Sequence, residues 1–302
     1  MKSRKNILIT GAAAGFGALI ARTLLAQGHT VFATMRDPKS RNASKAQALA
    51  AYSQGKPGKL HVLELDVTSE ASADAALLRA VELEGGLDVL INNAGGGHGL
   101  GAYAEAVSME QFEHAFNVNV FGVQCVTRAA LPSLRKSGKA LIVNISSIMG
   151  RIVLPYSATY TATKYAVEGL SESYRYELSG LGVDVVLIEP GGFPTEFFSS
   201  IDAPAHAERL ESYGPLADAP ARMYAGFAEM LGKPDAPNPQ LVADAVLRII
   251  ETPGGQRPLR VVVDPLLGGQ APEALNKTTH SLQKDVLGAL GQQDLLVLKG
   301  LD

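Results

Sequence analysis

Short apolar runs alternate along the chain with longer segments in which apolar residues recur at helical spacing. Seven of the runs are rich in leucine or β-branched residues, and each predicts a β-strand. The candidate strands are Asn6 to Thr10, Thr30 to Met35, Leu60 to Leu65, Leu87 to Ile91, Ala140 to Ile145, Val183 to Ile188 and Leu259 to Val263. The candidate helices between them are Phe16 to Gln27, Ala43 to Ser53, Ala71 to Glu84, Met109 to Lys136, Ala158 to Leu181 and Pro239 to Glu251.

This alternation predicts an α/β fold of the Rossmann type. Each candidate strand after the first follows a connection long enough for a right-handed crossover, which is how successive strands join one parallel sheet. We therefore predict a single doubly wound domain over residues 1–264. In this domain, helices cover both faces of a seven-stranded parallel sheet.

Two segments fall outside the alternation. Residues 192–238 form a connection of over forty residues, and loops of that length inside a compact domain are usually functional. We expect a substrate-binding lid; a surface excursion packed on the sheet is the alternative. Residues 265–302 have a weak helical pattern around Ser281 to Leu298, and we expect this tail to pack on the domain or at an oligomer interface.

Charge and composition exclude several classes of function. The formal net charge is −3 and basic residues do not cluster, which argues against nucleic acid or a membrane surface as a partner. The single cysteine, Cys125, cannot form an internal disulfide, and the six histidines never fall at zinc-site spacings, so no metal is predicted. The first apolar run is too short for a signal sequence or a membrane span. We expect a cytoplasmic protein with a small-molecule partner.

A glycine-rich stretch, GAAAGFG, follows the first candidate strand and opens the first candidate helix. Gly11, Gly15 and Gly17 supply a tight turn, a close backbone approach to a pyrophosphate, and a helix N-terminus directed at phosphates. A plain tight turn is the alternative interpretation. The position of the glycine-rich stretch between a strand and a helix favours dinucleotide binding.

The end of the second strand is where an adenosine ribose is read in such folds. An acidic residue there would accept hydrogen bonds from the ribose and repel a 2′-phosphate, but this chain has Met35 followed by Arg36. Arg36 could clamp a phosphate, so NADP(H) is favoured. NAD(H) is possible, because a register shift of one residue would make Asp37 the ribose acceptor.

The fourth strand runs directly into Asn92, Asn93, Ala94 and Gly95 at the carboxyl edge of the sheet, where ligands bind in open α/β folds. The small side chains of Ala94 and Gly95 would let a cofactor ribose approach closely. His98 lies in the loop that follows, and a lone histidine in such a loop is more commonly solvated than catalytic.

Three tyrosines lie close to one lysine in the stretch PYSATYTATKYAVEGL. Tyr160 stands four residues before Lys164, so the two share one face of a helix, whereas Tyr165 points elsewhere and Tyr156 lies at or before the helix start. An ammonium group near a phenol favours the phenolate, so we expect Lys164 to lower the pKa of Tyr160. For Tyr156 and Tyr165 the packing interpretation is favoured.

Two serines, Ser146 and Ser147, end the fifth candidate strand and could hold a substrate oxygen beside Tyr160. Consecutive strand residues face opposite ways, so at most one of the two serines should reach the site.

The segments TGAAAGFG, NNAG, FNVNVFG, ISS, YTATK and PGGFPT occur in the order and spacing of the short-chain dehydrogenase/reductase family. The resemblance covers about residues 5–264. It implies a catalytic tetrad of Asn119, Ser147, Tyr160 and Lys164, in which Ser147 is chosen because the family's serine stands thirteen residues before its tyrosine.

The resemblance also implies where a cofactor and a substrate bind. The cofactor-binding residues would be Gly11, Ala14, Gly15, Phe16, Gly17, Met35, Arg36, Asp66, Val67, Asn93, Ala94, Gly95, Tyr160, Lys164, Pro190, Gly191, Phe193 and Thr195. Asp66 and Val67 would flank the adenine, and the turn from Pro190 to Thr195 would hold the nicotinamide carboxamide. Tyr156, Phe197 and Phe198 are expected to line a substrate pocket for an apolar ketone, aldehyde or secondary alcohol.

The segments VFATMRDP and 155–170 look like those of the subgroup that contains 17β-hydroxysteroid dehydrogenase type 1 and retinol dehydrogenases. Enzymes of that subgroup tend to use NADP(H). The chain departs from many NADPH-preferring relatives because its glycine-rich turn contains no basic residue. In most relatives the helices corresponding to 109–136 and 158–181 form the dimer face, so a homodimer or homotetramer is expected.

In the mechanism that the resemblance implies, Tyr160 passes a proton to or from the substrate oxygen and Ser147 orients that oxygen. Lys164 lowers the pKa of the tyrosine and binds ribose hydroxyls, and Asn119 anchors a water. A non-catalytic NAD(P)-binding sensor or structural relative is the alternative, but it would not need Ser147, Tyr160 and Lys164 together. Halohydrin dehalogenase relatives replace this lysine with arginine and lose the glycine-rich site.

Overall fold

Seven parallel strands form one sheet in the computed structural model, which describes residues 4–300. The strands are β1 (Asn6–Ile9), β2 (Thr30–Met35), β3 (Lys59–Glu64), β4 (Val89–Asn92), β5 (Ala140–Ile145), β6 (Val183–Pro190) and β7 (Arg260–Val263). Their order across the sheet is β3-β2-β1-β4-β5-β6-β7. The order reverses between β1 and β4, and a crevice for ligands opens at the carboxyl ends of strands at such a point.

Helices cover both faces of this sheet. The α-helices are α1 (Gly15–Ala26), α2 (Ala43–Ser53), α3 (Glu70–Glu84), α4 (Met109–Phe116), α5 (Gly122–Ser137), α6 (Ala158–Ser179), α7 (Ala219–Leu231), α8 (Gln240–Glu251) and α9 (Gln270–Ala289). Short 3₁₀ helices are Ala104–Ala106, Ile148–Gly150, Glu196–Ser200, Ala207–Leu216 and Gln293–Leu296. The prediction of a doubly wound seven-stranded parallel sheet is confirmed, and each predicted strand boundary is within two residues of the observed one.

The sheet separates two apolar layers. Ile7 and Ile9 of β1 pack in the layer beneath α1 and α8, whereas Leu8 between them packs in the layer beneath α3 and α5. Side chains alternate between the faces of a strand, so a strand covered on both sides must be apolar at successive positions. This is why the strands appear in the sequence as continuous apolar runs.

A buried polar chain links the sheet to two helices near the carboxyl ends of β4 and β5. Asn92 and Asn144 are opposite each other in the register, and Asn92 Nδ2 donates to Asn144 Oδ1 at 2.8 Å. Asn92 Nδ2 also donates to Thr127 Oγ1 of α5 at 3.0 Å, and Asn144 Nδ2 donates to Ser171 Oγ of α6 at 2.8 Å. Buried polar groups satisfied in this way fix α5 and α6 on the sheet.

The helix predicted over Met109 to Lys136 contains an interruption that the sequence did not indicate. A π-helical turn, Asn117–Phe121, lies between α4 and α5 and contains the buried Asn119. Such a turn inserts one extra residue into the helical repeat and is often found at functional sites. The turn changes the direction in which Asn119 points relative to a regular helix.

The C-terminal helix begins earlier than predicted, which corrects the placement of a helix around Ser281 to Leu298. Helix α9 starts after Gly269 and ends before Gly291, and both glycines have positive φ. Only Pro272 and Leu287 of α9 are buried, so few apolar positions were available to indicate its period. The 192–238 segment contains two of the 3₁₀ helices and α7.

Shortening a core leucine should test the central position of β4. Leu90 is fully buried and Leu78 on α3 is 62% exposed. Leu90→Ala should lower the free energy of unfolding by about 2–5 kcal/mol because it leaves a cavity, whereas Leu78→Ala should change it by less than about 0.5 kcal/mol. Urea unfolding followed by circular dichroism measures both. Equal effects of the two substitutions would contradict the burial described for β4.

Candidate active site

The glycine-rich turn after β1 is pressed against the end of β4. Gly11 has φ +67°, and a Cβ there would lie 2.9 Å from Ala94 Cα. A Cβ on Gly17 would lie 2.3 Å from Gly11 O and 2.5 Å from Asn93 Nδ2. No side chain fits at either position, which explains both glycines physically. Helix α1 begins at Gly15, so its free backbone N–H groups lie at this turn.

Hydrogen bonds from the end of β4 hold the turn in place. Asn93 Nδ2 donates to Thr10 O at 2.9 Å and to Gly11 O at 3.1 Å. Thr10 Oγ1 accepts from the backbone N–H groups of Asn93 and Ala94, each at 3.0 Å. Sequence reasoning gave no role to Thr10, although a hydroxyl residue between an apolar strand and the turn glycine was a signal for it.

The residues predicted to read the ribose lie beside this turn. Ala12 N donates to Thr34 O at 2.8 Å, which joins the turn to the end of β2. Met35 is buried, whereas Arg36 and Asp37 are exposed beyond the strand. Asp37 has φ 47°, a left-handed conformation that aspartate tolerates better than most residues. Arg36 is thus exposed immediately beyond β2, and its contact with a 2′-phosphate stays a prediction.

Asp66 and Val67 follow β3 at the same edge of the sheet. Asp66 Oδ1 accepts from Thr68 N at 2.9 Å and from Thr68 Oγ1 at 2.8 Å, so the carboxylate closes a local turn. A Cβ on Gly122 of α5 would lie 2.8 Å from Val67 Cγ2, so these two residues are in close contact. Their proposed contact with an adenine stays a prediction.

Tyr160 and Lys164 lie one turn apart at the start of α6, and both are buried. Lys164 Nζ donates to Ile145 O, at the end of β5, at 3.0 Å. The same atom lies 5.6 Å from the centroid of the Tyr160 ring. The structure therefore brings the predicted pair together and fixes the lysine to the sheet edge.

Ser147 faces the tyrosine. Its Oγ accepts from Met149 N at 3.1 Å and donates to Pro190 O at 3.4 Å, and its side chain acts to lower the pKa of Tyr160. The neighbouring Ser146 Oγ lies beside Gly150, where a Cβ would be only 2.9 Å away. Among the described residues Ser146 Oγ has no hydrogen-bond partner, although it is buried.

The ionisation of the pair differs from the sequence-based expectation. Burial raises the pKa of Tyr160, and the hydrogen bond from Ser147 only partly opposes that effect. Burial lowers the pKa of Lys164 to about 8, while the nearby Glu168 carboxylate acts to raise it. The expected lowering of the tyrosine pKa by Lys164 is not found, because desolvation dominates where the ammonium bonds Ile145 O rather than the phenol.

Asn119 ties the loop after β4 to the helix that contains the tyrosine. Asn119 Nδ2 donates to Gly96 O at 3.0 Å and to Thr163 Oγ1 at 3.2 Å, and Asn119 Oδ1 accepts from Gly96 N at 2.9 Å. The side-chain amide is thus used by protein groups. The implied role of Asn119 in anchoring a water stays a prediction.

An apolar cleft of about 980 Å³, including its open mouth, lies in front of Ser147, Tyr160 and Lys164. Predicted cofactor residues on its wall are Phe16, Asn93, Gly95, Pro190, Gly191, Phe193 and Thr195. Apolar and aromatic residues on its wall are Leu100, Ile148, Met149, Leu154, Phe197, Phe198, Met223, Tyr224, Phe227 and Leu267. The predicted lid supplies the phenylalanines at 197, 198 and 227, and Leu267 comes from a tail to which sequence reasoning gave no site role.

Tyr156, predicted for the substrate pocket, is not among the residues that line the cleft. Its ring meets Tyr103 edge to face with 5.1 Å between centroids, and its backbone has φ 57°. Tyr156 O accepts from Gly101 N at 2.8 Å, which fixes the loop that precedes the cleft wall. The Tyr156 ring thus packs on Tyr103 outside the cleft wall, which corrects the prediction that this residue lines the substrate pocket.

Other candidate residues lie apart from the cleft. His98 Nδ1 is 2.7 Å from Asp202 Oδ2, and the ring is absent from the cleft wall. Within residues 4–300, no group of three or more His, Cys, Asp or Glu side chains is arranged to hold a metal ion. In the same part of the chain, no helix has both the length and the apolar character needed to cross a membrane.

Comparisons with known proteins agree with the motifs and the fold. A family model described as short chain dehydrogenase matches residues 5–205. The chain is 40% identical over 191 residues to the 3-ketodihydrosphingosine reductase of Bacteroides thetaiotaomicron, a match covering 63% of this chain and 65% of that protein. The chain therefore spans just under two thirds of the length of that curated relative.

Solved structures give the same result over more of the chain. A short-chain dehydrogenase from Streptomyces avermitilis is 31% identical with a TM-score of 0.70, covering 96% of this chain and 98% of that one. A 3-ketoacyl-(acyl-carrier-protein) reductase from Brucella melitensis, complexed with NADH, is 26% identical with a TM-score of 0.69. That match covers 86% of this chain and 96% of the reductase.

The family model matches 201 of the 302 residues, and the sequence motifs meet at one edge of one sheet. The chain therefore belongs to the short-chain dehydrogenase family, oxidoreductases that act on alcohol or carbonyl groups with NAD(P).

Proposed function

We propose that the chain interconverts an apolar ketone or aldehyde and the corresponding alcohol, with Tyr160 as general acid and base and with NADP(H) preferred over NAD(H). One observation carries this proposal: Ser147, Tyr160 and Lys164 lie together on the wall of an apolar cleft that the glycine-rich turn also approaches. A non-catalytic dinucleotide sensor would not require these three side chains to converge on one cleft.

The residues present fit a dinucleotide. A Cβ at Gly11 or Gly17 would collide with backbone, so both positions leave the turn open for a pyrophosphate at the N-terminus of α1. Asn93 would keep the turn in shape, and Thr195 lies on the wall of the cleft where a carboxamide would be held. A bound nicotinamide would supply or accept the hydride.

The protein's own residues would manage the proton. In reduction, the Tyr160 hydroxyl would donate its proton to the carbonyl oxygen, while the Ser147 hydroxyl donates a hydrogen bond to that oxygen and fixes its direction. Burial raises the pKa of Tyr160, so the phenol is neutral at neutral pH and has a proton to donate. In oxidation the same two hydroxyls act in the reverse order.

The cleft favours an apolar small molecule. Its wall is mainly apolar and aromatic, which is typical of small-molecule sites. Phe197 stacks edge to face on Tyr160 with 5.5 Å between centroids, so the reacting group would be bordered by an aromatic wall. The absence of nucleic-acid partners and the cytoplasmic location stay predictions from composition.

Removing one hydroxyl should separate chemistry from binding. Tyr160→Phe should lower turnover by about 10²–10⁴-fold, the usual loss of a positioned proton donor, and leave cofactor affinity nearly unchanged. Turnover is followed by the absorbance of the reduced nicotinamide with a panel of ketones and alcohols. Tyr165→Phe is the matched control, since that hydroxyl bonds Arg151 O at the surface. Ordinary turnover in Tyr160→Phe would refute the proton-transfer role.

The cofactor preference depends on the end of β2. Arg36→Leu should reduce kcat/KM with NADPH by about tenfold, the equivalent of about 1.4 kcal/mol, and should leave the value with NADH unchanged. Met35→Asp should shift the preference toward NADH, because a carboxylate accepts bonds from ribose hydroxyls and repels a 2′-phosphate. An NADPH/NADH ratio that stays the same in both variants would show that the ribose is read elsewhere.

We also propose a homodimer or homotetramer formed through α4, α5 and α6. Met109 and Phe121, at the ends of the α4 and π-turn segment, and Tyr165 on α6 are exposed. Sedimentation should give two or four times the 31.7 kDa mass of one chain. Phe121→Glu should shift the sedimentation mass toward that of the monomer, because the substitution would bury a charge in the subunit interface. Leu78→Glu should leave the mass unchanged. A wild-type monomer at all concentrations would contradict the proposal.

A further inference from the structure

A cluster of charged side chains from α6, β6 and β7 lies next to the part of α6 that contains Tyr160 and Lys164. We call it the carboxylate cluster and define it as Glu168, Glu172, Glu189 and Arg260. Arg260 donates from Nε to Glu168 Oε2 at 2.7 Å and from Nη2 to Glu172 Oε2 at 2.6 Å. Arg260 Nε also lies 3.5 Å from Glu189 Oε1. Three carboxyl groups therefore share one guanidinium group, and of the four side chains only Glu172 is partly exposed.

Glu168 is the member of the carboxylate cluster closest along α6 to the catalytic lysine. It stands four residues after Lys164, and residues at that spacing occupy the same face of a helix. Its side chain fits only because residue 150 is glycine, since a Cβ there would lie 2.8 Å from Glu168 Cγ. Gly150 ends the short helix that begins beside Ser147, so Glu168 supports the serine turn as well.

The negative charge of Glu168 is only partly compensated. Its Oε2 is paired with Arg260, but among the described residues its Oε1 has no hydrogen-bond partner. The residue is 2% exposed. In such surroundings a charge is poorly screened and acts over several ångström. The opposite charge nearest along the helix is the Lys164 ammonium.

Lys164 needs a compensating charge because its own contacts are neutral. Its ammonium donates to Ile145 O at 3.0 Å and faces the Tyr160 ring. Burial lowers the pKa of Lys164 to about 8, and Glu168 is the group that opposes this effect. A lysine with this pKa is partly deprotonated at a pH slightly above neutral.

We propose that Glu168 is a positioning residue that keeps Lys164 protonated beside Tyr160 at neutral pH, with Arg260 holding the carboxylate one turn away from the ammonium. The proposal deepens the proposed function and rests on it for its catalytic meaning. Glu168 Oε2 accepts from Arg260 and Lys164 Nζ donates to Ile145 O, so the two opposite charges have separate hydrogen-bond partners one helical turn apart.

Several other titratable or charged groups face Glu168, and their effects on the pKa of Lys164 must be distinguished from that of Glu168. Helix α6 contributes Glu172, β6 contributes Glu189, β7 contributes Arg260, and Arg151 acts on both of these glutamates. Helix α9 contributes neutral groups, since Asn276 Nδ2 donates to Glu189 Oε2 at 2.6 Å. Burial and the charge of Glu168 raise the pKa of Glu189 to about 8, so Glu189 titrates in the same range as Lys164.

A direct titration of the lysine tests the proposal without turnover. The cofactor-free protein is labelled with [¹³Cε]lysine, and the Lys164 resonance is identified by its loss in Lys164→Met. Glu168→Gln and Glu168→Ala should each move the Lys164 inflection down by about one pH unit, because each removes an opposite charge. Glu168→Asp keeps the charge and should keep the inflection near that of the wild type.

Two neutralised neighbours are the matched controls. Glu172→Gln removes a carboxylate bound to the same arginine, and Glu189→Gln removes the other group that titrates near pH 8. Both should leave the Lys164 inflection where it is. An unchanged inflection in the folded Glu168 variants would overturn the proposal, as would an equal shift in Glu172→Gln. Folding of each variant is checked by thermal unfolding, and one folded neutral variant at position 168 suffices.

The pH dependence of turnover provides a second readout. Carbonyl reduction should decline at a pH about one unit lower in Glu168→Gln than in the wild type, with similar kcat well below that pH. A wild type that reduces no carbonyl with either cofactor would refute the proposed function, while the lysine titration would still test Glu168. A shifted lysine inflection without any shift in the turnover profile would overturn the catalytic part of the inference.

Discussion

The buried ammonium of Lys164 is the charge on which the geometry of the candidate active site depends. Removing an ammonium group from water is costly unless hydrogen bonds and opposite charge compensate for it. Here the carbonyl of Ile145 accepts one bond at 3.0 Å, and the Tyr160 ring and the Glu168 carboxylate lie on the same helix. The start of α6 must therefore stay against the end of β5, and that requirement fixes Tyr160 beside Ser147.

The sheet supplies the rigid frame that such a charge needs. Asn92 and Asn144 bond each other between β4 and β5, and they extend the chain of hydrogen bonds to α5 and α6. Asn119 adds a second tie, since its amide joins Gly96 to Thr163 one residue before Lys164. Because each group is buried and bonded, a displacement of α6 would break several bonds at once.

Much of this arrangement could be predicted from sequence because it depends on period and spacing. Apolar runs gave the strands of a sheet buried on both faces, and the spacing of four residues between Tyr160 and Lys164 placed both on one helix face. Three features had no such signal. The π turn around Asn119 looks like ordinary helix in sequence, Leu267 reaches the cleft from the distant tail, and Tyr156, whose φ is 57°, lies outside the cleft wall.

The ionisation of Tyr160 and Lys164 was the least predictable property of the site, because it depends on burial as well as on spacing. Spacing indicates that an ammonium is near a phenol, but only the surroundings decide whether attraction or desolvation is larger. The side chains from 193 to 227 on the cleft wall are mostly apolar, and Phe197 packs against Tyr160. Tyr224 is part of this wall, and burial raises its pKa to about 12.

The polar groups and many of the apolar groups on the cleft wall come from different parts of the chain. The hydrogen-bonding groups, Ser147 and Tyr160, come from the sheet edge and α6, whereas Phe197, Phe198 and Phe227 come from the segment after Thr195. The segment after Thr195 therefore shapes the apolar part of the cleft, while the hydroxyl groups of Ser147 and Tyr160 and the ammonium group of Lys164 come from other elements. Phe197 and Tyr224 of the same segment pack against Tyr160, and burial raises the pKa of this phenol, so its protonation depends on the segment as well as on α6.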